Sequence, residues 1–173
     1  MTKDETCRNV TLVLSDVDGV LTDGGINYDN QGLETKRFDI RDGLGIKLWQ
    51  KAGFRFGMLT SRSSQCVRLR ASELGVELLR QGCEDKLPAA QQILRELRLQ
   101  PSQVCYIGDD LPDLPVMRQV GWSVAVADAA QEVRNAASFV TKRPGGQGAV
   151  RETIEFLLKA KGMWDDLLRR YSG

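Results

Sequence analysis

Short apolar runs alternate along this chain with longer stretches in which apolar residues recur at helical spacing. The runs at 10–15, 54–60, 76–79, 104–107, 123–126 and 139–141 have the length and content of buried strands. Between them the pattern predicts helices. Asp42 is a candidate cap for a helix running to about 52, with Leu44, Leu48 and Trp49 near helical spacing and Gly53 as its stop. A second helix spans 63–74 and is stopped by Gly75. Pro88 suits the first turn of a third that ends at Leu97, with Pro101 just beyond. Further helices are expected at 114–120, 131–137 and 149–160, with Gly162 setting off a tail over 163–171. Residues 22–38 break the rhythm. They are Gly-rich, with Asp29-Asn30-Gln31-Gly32 flanked by Ile26, Tyr28, Leu33 and Phe38, and predict a β-hairpin. Strand and helix in turn imply an α/β fold: a parallel sheet with helices on both faces.

Composition narrows the partners. The 173 residues are expected to form one domain with an adequate core, spanning 1–173. A formal net charge of +1 gives no reason to expect nucleic acid or a membrane. No apolar run approaches the roughly 20 residues of a membrane span, and residues 1–9 lack a secretory apolar core. Cys7, Cys66, Cys83 and Cys105 have no metal-type spacing and are expected to be reduced, packing thiols of a cytoplasmic protein. There is no histidine, which excludes Ser-His-Asp and Cys-His catalysis and leaves carboxylates, lysine and hydroxyls.

The candidate chemistry starts at Asp16-Val17-Asp18-Gly19, two carboxylates one residue apart directly after the first apolar run. Like charges this close are tolerated when a cation sits between them or when one holds a proton. Asp-x-Asp also occurs in turns and calcium loops, so the polar residues at the ends of the later apolar runs decide the reading. Thr60 ends the second run, Lys86 comes after the third, and Gly108-Asp109-Asp110-Leu111-Pro112-Asp113 comes directly after the fourth. In an open parallel sheet such strand ends share one crevice. There Asp16 is a candidate nucleophile towards phosphorus, and Asp18 a candidate acid and base. Asp109 would join Asp16 around a divalent cation, with Asp18 also counted among the ligands; Mg²⁺ suits such oxygen donors. Thr60 and Lys86 would hold non-bridging phosphate oxygens. Asp113 would orient metal-bound water or Lys86, and Asp110 and Asp113 equally suit the first turn of a helix.

The set Asp16-x-Asp18-Gly19, Thr60, Lys86 and Gly108-Asp109-Asp110-x-x-Asp113 resembles the four motifs of the haloacid dehalogenase superfamily of phosphotransferases. The closer resemblance is to its capless 3-deoxy-D-manno-octulosonate 8-phosphate phosphatases. It rests on residues 16–24, the hairpin, Phe38-Asp-Ile-Arg-Asp42-Gly43, Pro115-Val-Met117, residues 124–129 and residues 145–152. The resemblance implies a Rossmann-like sheet and Mg²⁺-dependent hydrolysis of an acidic sugar phosphate for the lipopolysaccharide inner core. It also implies a homotetramer.

The spacing agrees with a capless form, since hairpin, helix and strand use up the chain between Asp18 and Thr60. A protruding hairpin presents edges that seek a partner, and pairing with neighbouring subunits would also cover an otherwise open site. Residues 144–148, at the start of a loop and tail over 143–173, are Gly-rich enough to be expected mobile near the site. One departure stands out. Thr60 is succeeded by Ser61-Arg62 where the family has Gly-Arg, so a side chain intrudes beside a backbone N–H that could reach phosphate. Arg62 is a candidate anchor for the phosphate or the sugar's carboxylate. Two readings compete with the octulosonate ester: a nine-carbon nonulosonate 9-phosphate, and a non-catalytic tetramerisation module.

Overall fold

The computed structural model describes residues 3–171. Elements in chain order are α1 (Lys3–Asn9), β1 (Leu12–Ser15), β2 (Asn27–Tyr28), β3 (Glu34–Thr35), α2 (Ile40–Lys51), β4 (Arg55–Leu59), α3 (Gln65–Leu74) and β5 (Leu78–Arg80). Next come α4 (Lys86–Leu97), β6 (Val104–Gly108), α5 (Leu114–Met117), β7 (Trp122–Ala125), α6 (Gln131–Ala136), β8 (Phe139–Val140), α7 (Ala149–Ala160) and α8 (Trp164–Arg169).

Six strands form one sheet in the order β5-β4-β1-β6-β7-β8, and every pair is parallel. In β1, β6 and β7 every residue is buried. Successive strand side chains point to opposite faces, so both faces of the sheet are covered, as all-parallel sheets require. The core includes Leu12, Leu14, Trp49, Met58, Tyr106 and Ile107, all buried. Trp122 and Phe139 both stack on Phe156 of α7.

Strand order decides where the site lies. From β1 the chain winds outward through β4 and β5, then returns to place β6, β7 and β8 on the other side. The reversal falls between β1 and β6, and crevices open at such switch points beyond the strand carboxyl ends. Ser15 pairs with Ile107, and Asp16 N–H donates to the Ile107 carbonyl at 2.9 Å. The residues just past the two strands, Asp16 and Asp109, are thereby brought side by side. No cap domain is present among the described residues; only the hairpin, α2 and β4 lie between Asp18 and Thr60.

The hairpin is shorter than the 22–38 segment that announced it. Asn27 pairs with Thr35 and Tyr28 with Glu34. Asp29 closes the turn, its Oδ1 accepting from Gln31 N–H and Leu33 N–H, each at 2.8 Å.

One expectation is corrected. Asp42 does not cap α2. The cap is Asp39, whose carboxylate accepts from Arg41 N–H at 2.7 Å. Asp42 lies buried in the first turn and reaches across to a different helix. It accepts from Gly148 N–H at 3.2 Å and Arg151 N–H at 2.8 Å, serving the N-terminus of α7, whose own Gly148 has no side chain to offer. Within residues 144–148, Gly145, Gly146 and Gly148 are buried and Gln147 is exposed. Gly146 N–H donates to the Val20 carbonyl at 2.9 Å and Gly145 N–H to Asp128 Oδ1 at 2.9 Å. A Cβ on Gly145 would collide with the Gly19 carbonyl, so glycine here permits close backbone approach to the 19–23 loop.

Candidate active site

The loop after β1 begins with Asp16, almost wholly buried, whose Oδ1 accepts from Val17 N–H at 2.6 Å. Its Oδ2 lies 2.6 Å from Lys86 Nζ. Lys86 opens α4, behind its cap Asp85, and is itself buried. The same ammonium donates to Asp113 Oδ1 at 2.7 Å. Asp113 is saturated. Tyr106 O–H donates to Oδ1 at 2.7 Å, while Asp109 N–H and Asp110 N–H reach Oδ2 at 2.9 and 3.2 Å. Asp113 thus ties the end of β6 to Lys86. Asp110 is exposed and caps the turn beyond it, accepting from Leu111 N–H at 2.8 Å.

Asp16, Asp109 and Asp113 offer oxygens within 4.8 Å of one another. With Asp113 fully engaged, Asp16 and Asp109 remain as oxygen donors. Asp109 Oδ1 is buried with no hydrogen-bond partner, and a bare buried carboxylate oxygen is costly unless something compensates it. Gly19 has φ of +91°, and a Cβ there would run into the Asp109 carboxylate, so the loop approaches it as closely as backbone allows. An oxygen-seeking divalent cation fits this donor set.

The electrostatics say the same. Burial, reinforced by the charge of Asp113, raises the Asp16 carboxyl to about 6 even though Lys86 pulls it down. Burial and the charges of Asp16 and Asp113 push Asp109 up to about 8. Burial alone would lower Lys86, but the two carboxylates outweigh it and its pKa is raised. One ammonium does not neutralise three carboxylates.

Thr60 is buried directly after β4, with Oγ1 accepting from Arg62 N–H at 3.2 Å. Ser61 is exposed. Arg62 turns to the hairpin, donating to Tyr28 Oη at 2.9 Å and pairing with Glu34 at 3.1 Å. Asp18, expected among the metal ligands, does not place its carboxylate in the acidic cluster. Its Oδ1 is held by Lys36 from the hairpin, and its Oδ2 is buried without a partner. Of the expected site residues, Asp16, Lys86, Asp109 and Asp113 meet in the crevice, and Asp18 and Arg62 are held against the hairpin. Sequence reasoning passed over Lys36, Glu34 and Tyr106. Period-two alternation puts Tyr28 and Glu34 on one face of the hairpin, but Lys36 lies just beyond the paired residues and nothing local to it points to Asp18.

A crevice at the β1/β6 reversal, lined by Asp16, Asp109 and a lysine, defines a haloacid dehalogenase-like hydrolase, and the family model of that description matches residues 69–152. The chain is 47% identical over 157 residues to the 3-deoxy-D-manno-octulosonate 8-phosphate phosphatase of Yersinia pestis, covering 91% of this chain and 84% of the relative. It is 44% identical over 159 residues to that of Escherichia coli K12, covering 92% and 85%. A crystal structure of the Moraxella catarrhalis phosphatase of the same name, in complex with magnesium, phosphate and KDO, superposes with a TM-score of 0.96 at 38% identity. That match covers 98% of this chain and 97% of the other. The chain belongs to the 3-deoxy-D-manno-octulosonate 8-phosphate phosphatase family.

Proposed function

We infer that this protein is a Mg²⁺-dependent phosphatase that hydrolyses 3-deoxy-D-manno-octulosonate 8-phosphate to the free sugar acid and phosphate. The observation that carries the reaction type is the meeting of Asp16, Lys86 and Asp109 in one crevice. The relatives' names supply the substrate. Asp16 attacks phosphorus and becomes an aspartyl phosphate. Asp18 gives a proton to the departing sugar alkoxide, then takes one from the water that releases phosphate and frees Asp16. Asp16 and Asp109 would hold the Mg²⁺, which would neutralise phosphate charge there. Thr60, Lys86 and the backbone N–H of Ser61 would bind non-bridging oxygens, with Arg62 as anion anchor and Asp113 fixing Lys86.

Cytoplasmic location is proposed from four free cysteines. Among the described residues no helix is long and apolar enough to cross a membrane. The homotetramer is supported by the hairpin, where Ile26, Tyr28 and Leu33 are 52%, 60% and 61% exposed and lack cover within one subunit. Light scattering on the purified protein tests it.

The functional test is phosphate release from the octulosonate ester with and without Mg²⁺, beside a nonulosonate 9-phosphate and an aryl phosphate. Preference for the octulosonate ester, lost in Asp16→Asn, supports the reading. Preference for the nine-carbon ester discards the substrate and keeps the chemistry. No turnover on the panel leaves the assembly-module reading in its place.

A further inference from the structure

The hairpin carries one side chain out of keeping with its surroundings. Most hairpin residues are exposed, yet the side chain of Lys36 is only 1% exposed. Its ammonium meets two carboxylates, Asp18 Oδ1 and, at 3.3 Å, Glu34. A lysine on a surface ribbon loses nothing by extending into water, whereas burying it costs desolvation that an ion pair only partly returns. Glu34 is fixed in its turn by Arg62 and by the Ser64 hydroxyl, which anchor the ribbon to the loop after β4 and the start of α3. The Ser64 hydrogen bond, together with the smaller effects of those from Arg62 and Lys36, holds the Glu34 carboxyl below its ordinary range, so it stays an anion facing Lys36.

The consequence falls on Asp18. Lys36 takes one carboxylate oxygen, while the other is buried and unpartnered. A carboxyl group pinned at Oδ1 has only Oδ2 left to carry the travelling proton, in one orientation. We propose that Lys36 is a positioning residue for the reaction, clamping Asp18 from the hairpin, with Glu34 holding Lys36 in place. The proposal rests on the acid–base reading of Asp18. In the step concerned, Asp16 forms its bond to phosphorus as the P–O bond to the sugar breaks. The proton on Asp18 Oδ2 passes to the departing oxygen and leaves Asp18 as carboxylate.

A group that positions the acid matters only where the leaving group needs a proton. A sugar alkoxide does; p-nitrophenolate leaves without one. The test is single-turnover release of the alcohol, with enzyme in excess, from the octulosonate ester and from p-nitrophenyl phosphate. Lys36→Met is expected to slow the sugar ester by about tenfold or more while the aryl ester stays within about threefold. Lys36→Arg, which keeps the charge, should lose less. Equal loss on both esters would show that Lys36 binds phosphate or merely supports the fold, and overturns the proposal, as does no loss on either. If Lys36→Met does not fold, the same ratio is read on Lys36→Gln. Asp18→Asn in parallel separates the two ideas. If it shows the leaving-group signature and the Lys36 variants do not, only the Lys36 proposal fails; if it lacks the signature, both fail.

Discussion

Lys86 donates from Nζ to Asp113 Oδ1 at 2.7 Å, and neither side chain sees appreciable solvent. The same nitrogen lies 2.6 Å from Asp16 Oδ2, so one compact charge separates two buried carboxylates. Lys86→Met leaves both without a counter-charge, and breaking a buried pair in this way costs about 3–5 kcal/mol. Denaturant unfolding of the metal-free variant measures that loss. Phosphate release should fall by about a hundredfold or more, because a donor to the transferring group is gone. Lys86→Arg is not expected to restore it, since a planar fork does not fit where a point charge bridges two oxygens. Adding Asp113→Asn to Lys86→Met should recover part of the stability and none of the activity.

The crevice also links metal, pH and stability. Folding raises the Asp16 and Asp109 carboxyls from 3.8 to about 6 and about 8. A raised carboxyl favours the protonated folded state. Its stabilising contribution is full below 3.8 and is lost as pH climbs through about 6 for Asp16 and about 8 for Asp109. The melting temperature of metal-free protein should therefore fall between about pH 4 and pH 8. Mg²⁺ should raise it more at the alkaline end, where the carboxylates are charged and need the cation. Asp109→Asn should flatten the upper part of the pH curve and shrink the Mg²⁺ shift. A thermal-shift grid over pH with Mg²⁺ or a chelator checks both.

Much of this was legible from spacing alone. Residues that end apolar runs, Asp16 and Asp109, were expected together because parallel strands deliver their carboxyl ends to one crevice, and the β1–β6 register does so. Helix α7 has the bounds its periodicity announced, because Ala149–Ala160 buries a clean apolar stripe including Ile154, Leu157 and Leu158. The features that stayed hidden depend on partners distant in sequence. Asp42 looks like a local cap until Gly148 and Arg151 are brought to it from the far end of the chain. Lys36 reads as a solvated lysine until the ribbon folds onto Asp18. Helix α5 starts at Leu114 as its pattern announces but stops at Met117, because the following residues close a tighter turn in which Gln119 N–H donates to the Val116 carbonyl at 2.9 Å. Helix α1 went unforeseen: its seven residues carry too few apolar positions for a period to show.

The 144–148 loop makes a steric prediction. Gly145 has ordinary backbone angles, so alanine there is disfavoured by collision with the Gly19 carbonyl and not by conformation. The neighbouring chain must move, and such overpacking costs about 1–3 kcal/mol. Because Gly19 borders Asp109 and adjoins Asp18, the movement should reach the site. Gly145→Ala is expected to lower both melting temperature and kcat on the octulosonate ester. A variant that loses stability while keeping full kcat would show that the loop and the site are uncoupled.

Asp42 makes the last prediction. Removing its carboxylate frees two N–H groups at the start of α7, so Asp42→Ala should cost about 1–2 kcal/mol, the usual range for a lost cap. Asp42→Asn keeps an acceptor and should cost less. The natural protein and Asp42→Asn differ further with pH. Burial raises the Asp42 carboxyl from 3.8 to about 6, against the pull of the Arg151 and Gly148 N–H groups. Its contribution in the natural protein is therefore full below 3.8 and lost as pH rises through about 6. An amide has no such dependence. The stability deficit of Asp42→Asn should thus be largest near pH 4, shrink as the pH climbs to about 6 and stay level above it, as read from denaturant midpoints across that range. A deficit that grows with pH would mean that the ionised carboxylate, facing the helix N-terminus, is the form folding favours.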